Sequence, residues 1–152
     1  MISRSTEYAL RIMALFALQD SKAPLRAKDI AEEINIPLAY LSKILRRMVN
    51  AGLLIASKGH GGGFIIAKSP QQIRFIHILE AVEDNESMST CVFGWSVCRD
   101  RTPCILHQRW KQIKTSFNAW ARETTLADVQ NDFESIPYFN GKQLHECMRQ
   151  VK

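Results

Sequence analysis

The chain opens with apolar residues at helical spacing. Between residues 5 and 19, Ala9, Ile12, Met13, Phe16 and Ala17 recur every three or four positions, which marks one buried helix face. Leu10 and Leu15 widen that face, so the helix is expected to lie between other elements. Ser5 or Thr6 is placed to cap it, and Glu7 in the first turn suits the positive end of the helix dipole. Asp20-Ser-Lys-Ala-Pro24 reads as a turn. A short helix follows at 27–34 with Ile30, Ala31 and Ile34 inward, then a turn at Asn35-Ile36. Pro37 can open a second helix at no cost, because a first-turn N–H has no partner to lose. That helix runs to about Asn50, with Leu41, Ile44, Leu45 and Met48 on one face and Gly52 as its stop. Two short helices joined by a tight turn form a helix-turn-helix.

The period then shifts. Leu53 to Lys68 reads as strand, glycine turn, strand, with glycines at 59 and 61–63. A hairpin directly after such a helix pair is a wing. Ser69-Pro-Gln-Gln begins another helix, to about Glu83, with Ile73, Ile76, Leu79 and Val82 inward. Asp84 to Thr90 is a polar loop. From Pro103 to about Glu123 a long helix carries Leu106, Trp110, Ile113, Phe117 and Trp120 at steps of 4, 3, 4 and 3. That heptad spacing is the seam of a helix that packs on another helix, either its two-fold mate or the chain's own core. The stretch from Thr124 is mixed and reads as a tail, with Cys147 isolated in it. The expected fold is mainly α with a small β-hairpin wing: a winged helix-turn-helix domain at 1–83, a loop and dimerisation helix at 84–125, and a tail at 126–152.

Charge adds direction to this pattern. The net charge is +5 over 152 residues. Residues 1–68 hold ten Lys and Arg against five Asp and Glu, and the remainder is balanced. The whole excess lies on the helix-turn-helix half, which suits a polyanionic partner. Tyr40, Ser42, Lys43, Arg46 and Arg47 occupy the outer face of the second helix, as major-groove contact requires. Lys28 on the preceding helix and Lys58, Gly59 and His60 at the hairpin tip extend that surface toward the phosphate backbone. The glycine run lacks the Gly-Lys-Ser/Thr ending of a phosphate loop. No apolar run suggests a signal peptide or membrane span, and the expected location is the cytoplasm.

The remaining chemistry lies in Cys91-x6-Cys98-x5-Cys104-x2-His107. Thiolates and imidazole suit iron–sulfur clusters and zinc alike. His107 lies one helical turn past Cys104, so both can face one point. Arg99 and Arg101 are placed to offset thiolate charge. Structural zinc sites usually use closely spaced cysteine pairs, which are absent here, though three cysteines and a histidine make a good tetrahedral set. A thiol-redox enzyme using Cys98 or Cys104 is disfavoured by the lack of a Cys-x-x-Cys motif, and no catalytic constellation is evident. From spacing alone, cluster, zinc and no metal all stay open.

Several stretches together resemble one family. Glu7-Tyr-Ala-Leu-Arg11, Ala39-Tyr-Leu-Ser-Lys-Ile-Leu45, Gly52-Leu53 and Lys58-Gly-His-Gly-Gly-Gly-Phe64, with the cysteine stretch, are similar to the winged-helix regulators that include IscR, NsrR and RirA. The likeness covers roughly residues 1–125. It implies a homodimeric transcription regulator on a two-fold symmetric operator that senses iron–sulfur status, redox state, iron or nitric oxide. It also implies Cys91, Cys98, Cys104 and His107 as ligands of an iron–sulfur cluster, [2Fe–2S] in preference to [4Fe–4S]. Glu7 matches an alternative fourth ligand, an acid that the partner subunit supplies in NsrR-like members. The chain departs from the pattern by one extra residue between Cys91 and Cys98, and by Ser42 where IscR has an acid.

Overall fold

The computed structural model describes residues 2–19, 23–83, 91–93 and 99–135, the side chains of 132–135 excepted. The loop at 84–90, Cys98 and the tail at 136–152 with Cys147 lie outside the described residues. Six α-helices and one two-stranded antiparallel hairpin are described: α1 (Arg4–Ala17), α2 (Ala27–Glu33), α3 (Leu38–Asn50), β1 (Leu54–Ser57), β2 (Gly63–Ile66), α4 (Phe75–Val82), α5 (His107–Glu123) and α6 (Leu126–Ser135). The mainly helical winged architecture read from the pattern is the one observed.

The apolar stripes meet where their spacing puts them. Ile12 and Met13 of α1, Ile30 of α2, Leu41, Leu45 and Met48 of α3, and Ile73 and Ile78 around α4 are fully or almost fully buried in one core. Backbone stops hold the helix pair at its angle. At the end of α3, Gly52 (φ +68°) lets its own N–H reach Val49 O and the Leu53 N–H reach Met48 O, each at 3.0 Å. This is the Schellman closure, and Met48 and Leu53 pack together beneath it. Asn35 (φ +52°) turns the chain out of α2 in the same way, with Ile36 N–H on Ala31 O at 3.0 Å.

Four elements depart from the sequence reading, one of them α5, which begins at His107 and not at Pro103. Helix α1 is capped by Ser3, whose Oγ accepts from the Thr6 N–H at 3.2 Å, while Ser5 and Thr6 turn to other partners. The helix expected from Ser69 is split. A short 3-10 turn at Pro70–Gln72 precedes α4, and Ile73 and Arg74 between them are extended. The cause is non-local: Phe75 N–H donates to Thr124 O at 3.0 Å and Leu126 N–H to Ile73 O at 2.8 Å. Residues 126–135, read as the start of a tail, form α6, which packs on α1 through Leu126 and Val129. Its start is a capping box. Asp128 Oδ2 accepts from Thr125 N and Oγ1 at 2.7 and 2.8 Å, and Thr125 Oγ1 accepts from Asp128 N at 3.3 Å.

Candidate nucleic-acid interface and cysteine loop

The exposed face of α3 carries Ser42, Lys43, Arg46 and Arg47. They are not equally available. Lys43 and Arg46 project into solvent. Ser42 Oγ donates back to Leu38 O at 2.8 Å, a bond within its own helix. Tyr40 is half-buried; its hydroxyl shares a 2.8 Å hydrogen bond with Ser5 Oγ, and its ring meets Tyr8 edge-on at 5.7 Å. Tyr40 therefore fastens the start of α3 to α1. Arg47 Nη1 donates to Val82 O at 2.6 Å, so its guanidinium closes the C-terminal end of α4. Ser5, Tyr40, Lys43, Ile44, Arg46, Arg47 and Asn50 line a concave patch of about 430 Å³. Three cations there suit a phosphate group. Lys28 stands on the exposed side of α2, 3.8 Å from Glu32 one turn on.

The wing is held from behind. Register pairs Leu54 with Ile66 and Ser57 with Gly63, and Leu25 makes a single antiparallel bridge to Phe64 through mutual bonds at 3.0 and 2.8 Å. Gly63 is required by this approach, since a Cβ there would lie 2.5 Å from Leu25 O. Lys58, Gly59 and His60 sit exposed at the tip.

The cysteine loop is reached from α4. Glu83, the residue after α4, accepts hydrogen bonds from Thr6 Oγ1 and, at 3.2 Å, from the Ser3 N–H. Thr6 is fully buried. The start of α1, the end of α3 and the end of α4 thus converge where the chain departs for the cysteines. Cys91 is buried and Cys104 half-buried, and both are free thiols. His107, 7% exposed, is the first residue of α5, and its N–H donates to Cys104 O at 3.0 Å. Its Nε2 lies 2.8 Å from Asp100 Oδ1, which also accepts from Lys111 Nζ at 3.0 Å. The hydrogen bond from Lys111, then that from His107, holds the Asp100 carboxyl below the ordinary range. Among the described residues, no three His, Cys, Asp or Glu side chains converge as a metal site. Cys98 lies outside those residues. Two free thiols and an inward imidazole are nonetheless a soft donor set that fits zinc or an iron–sulfur cluster. Glu7, on α1, is paired with Arg11 one turn along.

Apolar surface gathers beyond this loop. Ile105, Leu106, Ile113 and Trp120 are exposed on and before α5, as are Val92 and Phe93, with Ile105 at 92%. The far end of α5 packs on α4: Ala121 and Phe117 meet Ile76 and Leu79, and Trp120 lies 5.2 Å from Phe75 between ring centroids. No spacing rule pointed to Arg47 on Val82, to Glu83 or to Asp100, because each partnership joins residues distant in sequence or lies in an irregular turn.

A helix-turn-helix with a basic outer face, followed by a hairpin wing, defines a winged-helix DNA-binding regulator. Residues 2–132 match the Rrf2 family, described as iron-dependent transcriptional regulators, and the chain belongs to that family. It is 26% identical over 145 residues to the HTH-type transcriptional regulator IscR of Enterobacter sp., covering 95% of this chain and 88% of that one. It is 29% identical over 131 residues to a putative HTH-type regulator of Aquifex aeolicus, covering 85% and 90%. Among solved structures it resembles CymR, the global cysteine regulator of B. subtilis, at a TM-score of 0.72 and 26% identity over 87% of this chain and 97% of that one. It shares the fold of T. potens IscR at a TM-score of 0.73 and 23% identity over 94% and 95%. The chain is a DNA-binding transcription regulator and not an enzyme. No described helix is long and apolar enough to cross a membrane.

Proposed function

We propose that this regulator works in the cytoplasm as a homodimer on a two-fold symmetric operator, with its DNA affinity gated by an iron–sulfur cluster held by Cys91, Cys98, Cys104 and His107. One observation carries the gating. The end of α4 is gripped by α1 through Glu83 and by α3 through Arg47 on Val82 O, just before the chain enters the cysteine loop. A change in that loop has a short hydrogen-bonded route to the reading helix. Lys43, Arg46 and Lys58 supply salt-dependent backbone affinity, and Lys28 and His60 widen the footprint. Gly59 brings the wing's backbone close to the duplex. Tyr40 and Arg47 act mainly by holding α3 in place, and Ser42 reads bases only by exchanging its bond to Leu38 O.

The heptad face of α5 supports the dimer, because Leu106, Ile113 and Trp120 remain exposed at positions a helical partner would cover. When bound, the cluster supplies a redox-active centre that reacts with oxidants and nitric oxide. A [2Fe–2S] form with His107 as fourth ligand is preferred over a [4Fe–4S] form or one using Glu7 from the partner subunit. Zinc held by the same residues is the competing occupant. Anaerobic purification separates them: brown protein with iron and sulfide, against colourless protein with zinc. Band-shift titration of an operator, with cluster present and removed, then tests the gate, and equal affinities overturn it.

A further inference from the structure

Asp100 is outside the expected donor set, yet its carboxylate is bonded to the ring of His107. Oδ1 receives His107 Nε2 at 2.8 Å and Lys111 Nζ at 3.0 Å. Lys111 lies one turn along α5 from His107, so consecutive turns present both donors to one oxygen. The exposures divide the roles: the Asp100 side chain is 72% exposed and that of His107 9%. The carboxylate sits at the rim and the imidazole lies within. Asp100 belongs to the turn at 99–102, closed by Thr102 N–H on Arg99 O at 3.3 Å. That turn lies between Cys98 and Cys104, so the segment that separates two thiols also delivers the carboxylate.

An ionised carboxylate only accepts hydrogen bonds. A metal-binding imidazole is neutral, and a neutral ring in this bond holds its proton on Nε2 and its lone pair on Nδ1. A ring whose N–H is taken by a carboxylate is fixed in tautomer and orientation, and its other nitrogen becomes a stronger metal donor. We propose that Asp100, braced by Lys111, is the positioning residue that presents His107 as a ligand, with Nδ1 as the donor atom. This rests on the cluster reading above and adds to it a residue and a ring nitrogen.

The test uses the full chain, loaded anaerobically with ferrous iron and sulfide, as wild type, Asp100→Ala, Asp100→Asn, His107→Ala and the double variant Asp100→Ala/His107→Ala. Iron release to a chelator is timed, and thermal melting of each cluster-free protein confirms the fold. Asp100→Ala should release iron about tenfold faster, the lower end of the usual effect of such partners. Asp100→Asn, which still accepts from Nε2, should fall between. In the His107→Ala background the Asp100 effect should vanish, which a merely structural role would not produce. Pulsed magnetic resonance of the reduced cluster, with histidine 15N-labelled at Nδ1 alone, should show the strong coupling of a bound nitrogen. Unchanged release in both Asp100 variants, an equal Asp100→Ala effect with and without His107, or strong coupling from Nε2 overturns the proposal. A wild-type protein that holds no iron or sulfide overturns the cluster reading itself, and this inference with it.

Discussion

Helix α3 and helix α5 are both amphipathic, and they dispose of their apolar faces in opposite ways. Leu41, Ile44, Leu45 and Met48 of α3 are sealed inside the chain's own core. The equivalent stripe leaves Leu106, just before α5, and Ile113 and Trp120 within it partly in water. A periodic stripe therefore says that a helix wants a cover but not where the cover comes from. In α3 the neighbours α1, α2 and α4 supply it. In α5 the other described residues do not finish the task, and the proposed subunit interface would cover what they leave open.

Three substitutions sharpen this contrast, ranked by their cost to the monomer. Leu45→Ala opens a cavity in the sealed core and should lower stability by about 2–5 kcal/mol in denaturant unfolding; a loss below about 1 kcal/mol would mean the core repacks freely. Thr125→Ala removes the cap that starts α6 and should cost about 1 kcal/mol, read as a lower melting temperature. Ile113→Glu, on the open stripe, should change monomer stability by no more than about 0.5 kcal/mol. Sedimentation should nevertheless show it shifting the population from dimer to monomer and weakening operator binding. A destabilised monomer with an intact dimer would reverse the contrast drawn between the helices.

Local signals were the legible ones. The helix pair, its Gly52 stop and the wing follow from spacing and from residues whose backbone needs are strong, and each lies within a few positions of its cause. The same holds for the inward residues Ile73, Ile76, Leu79 and Val82, which are all buried even though Ile73 lies ahead of the shorter helix that carries the other three. The break at Ile73–Arg74 was not legible, because its partner is Thr124–Leu126, some fifty residues on. Helix α6 was legible in part. Thr125-Leu-Ala-Asp128 is a capping-box pattern, but its apolar face is short and makes sense only once α1 is there to receive it. In the candidate site, residue types pointed to the basic face and the thiols. The commitments of individual side chains, Arg47 to Val82, Tyr40 to Ser5 and His107 to Asp100, depend on three-dimensional neighbours that periodicity does not encode.

The packing of the far end of α5 on α4 has a mechanical consequence. Phe117, Trp120 and Ala121 pin its final turns to α4, while His107 stands at the opposite end, about 20 Å from them at the usual rise per residue. The helix is thus a lever with its fulcrum beside the DNA-reading core. A rocking of about 5° at the fulcrum sweeps the His107 end through roughly 2 Å, a simple projection of that length. On the proposed reading, the loss of one metal–ligand bond at His107 is amplified along this length into a displacement that re-spaces two subunits on a duplex.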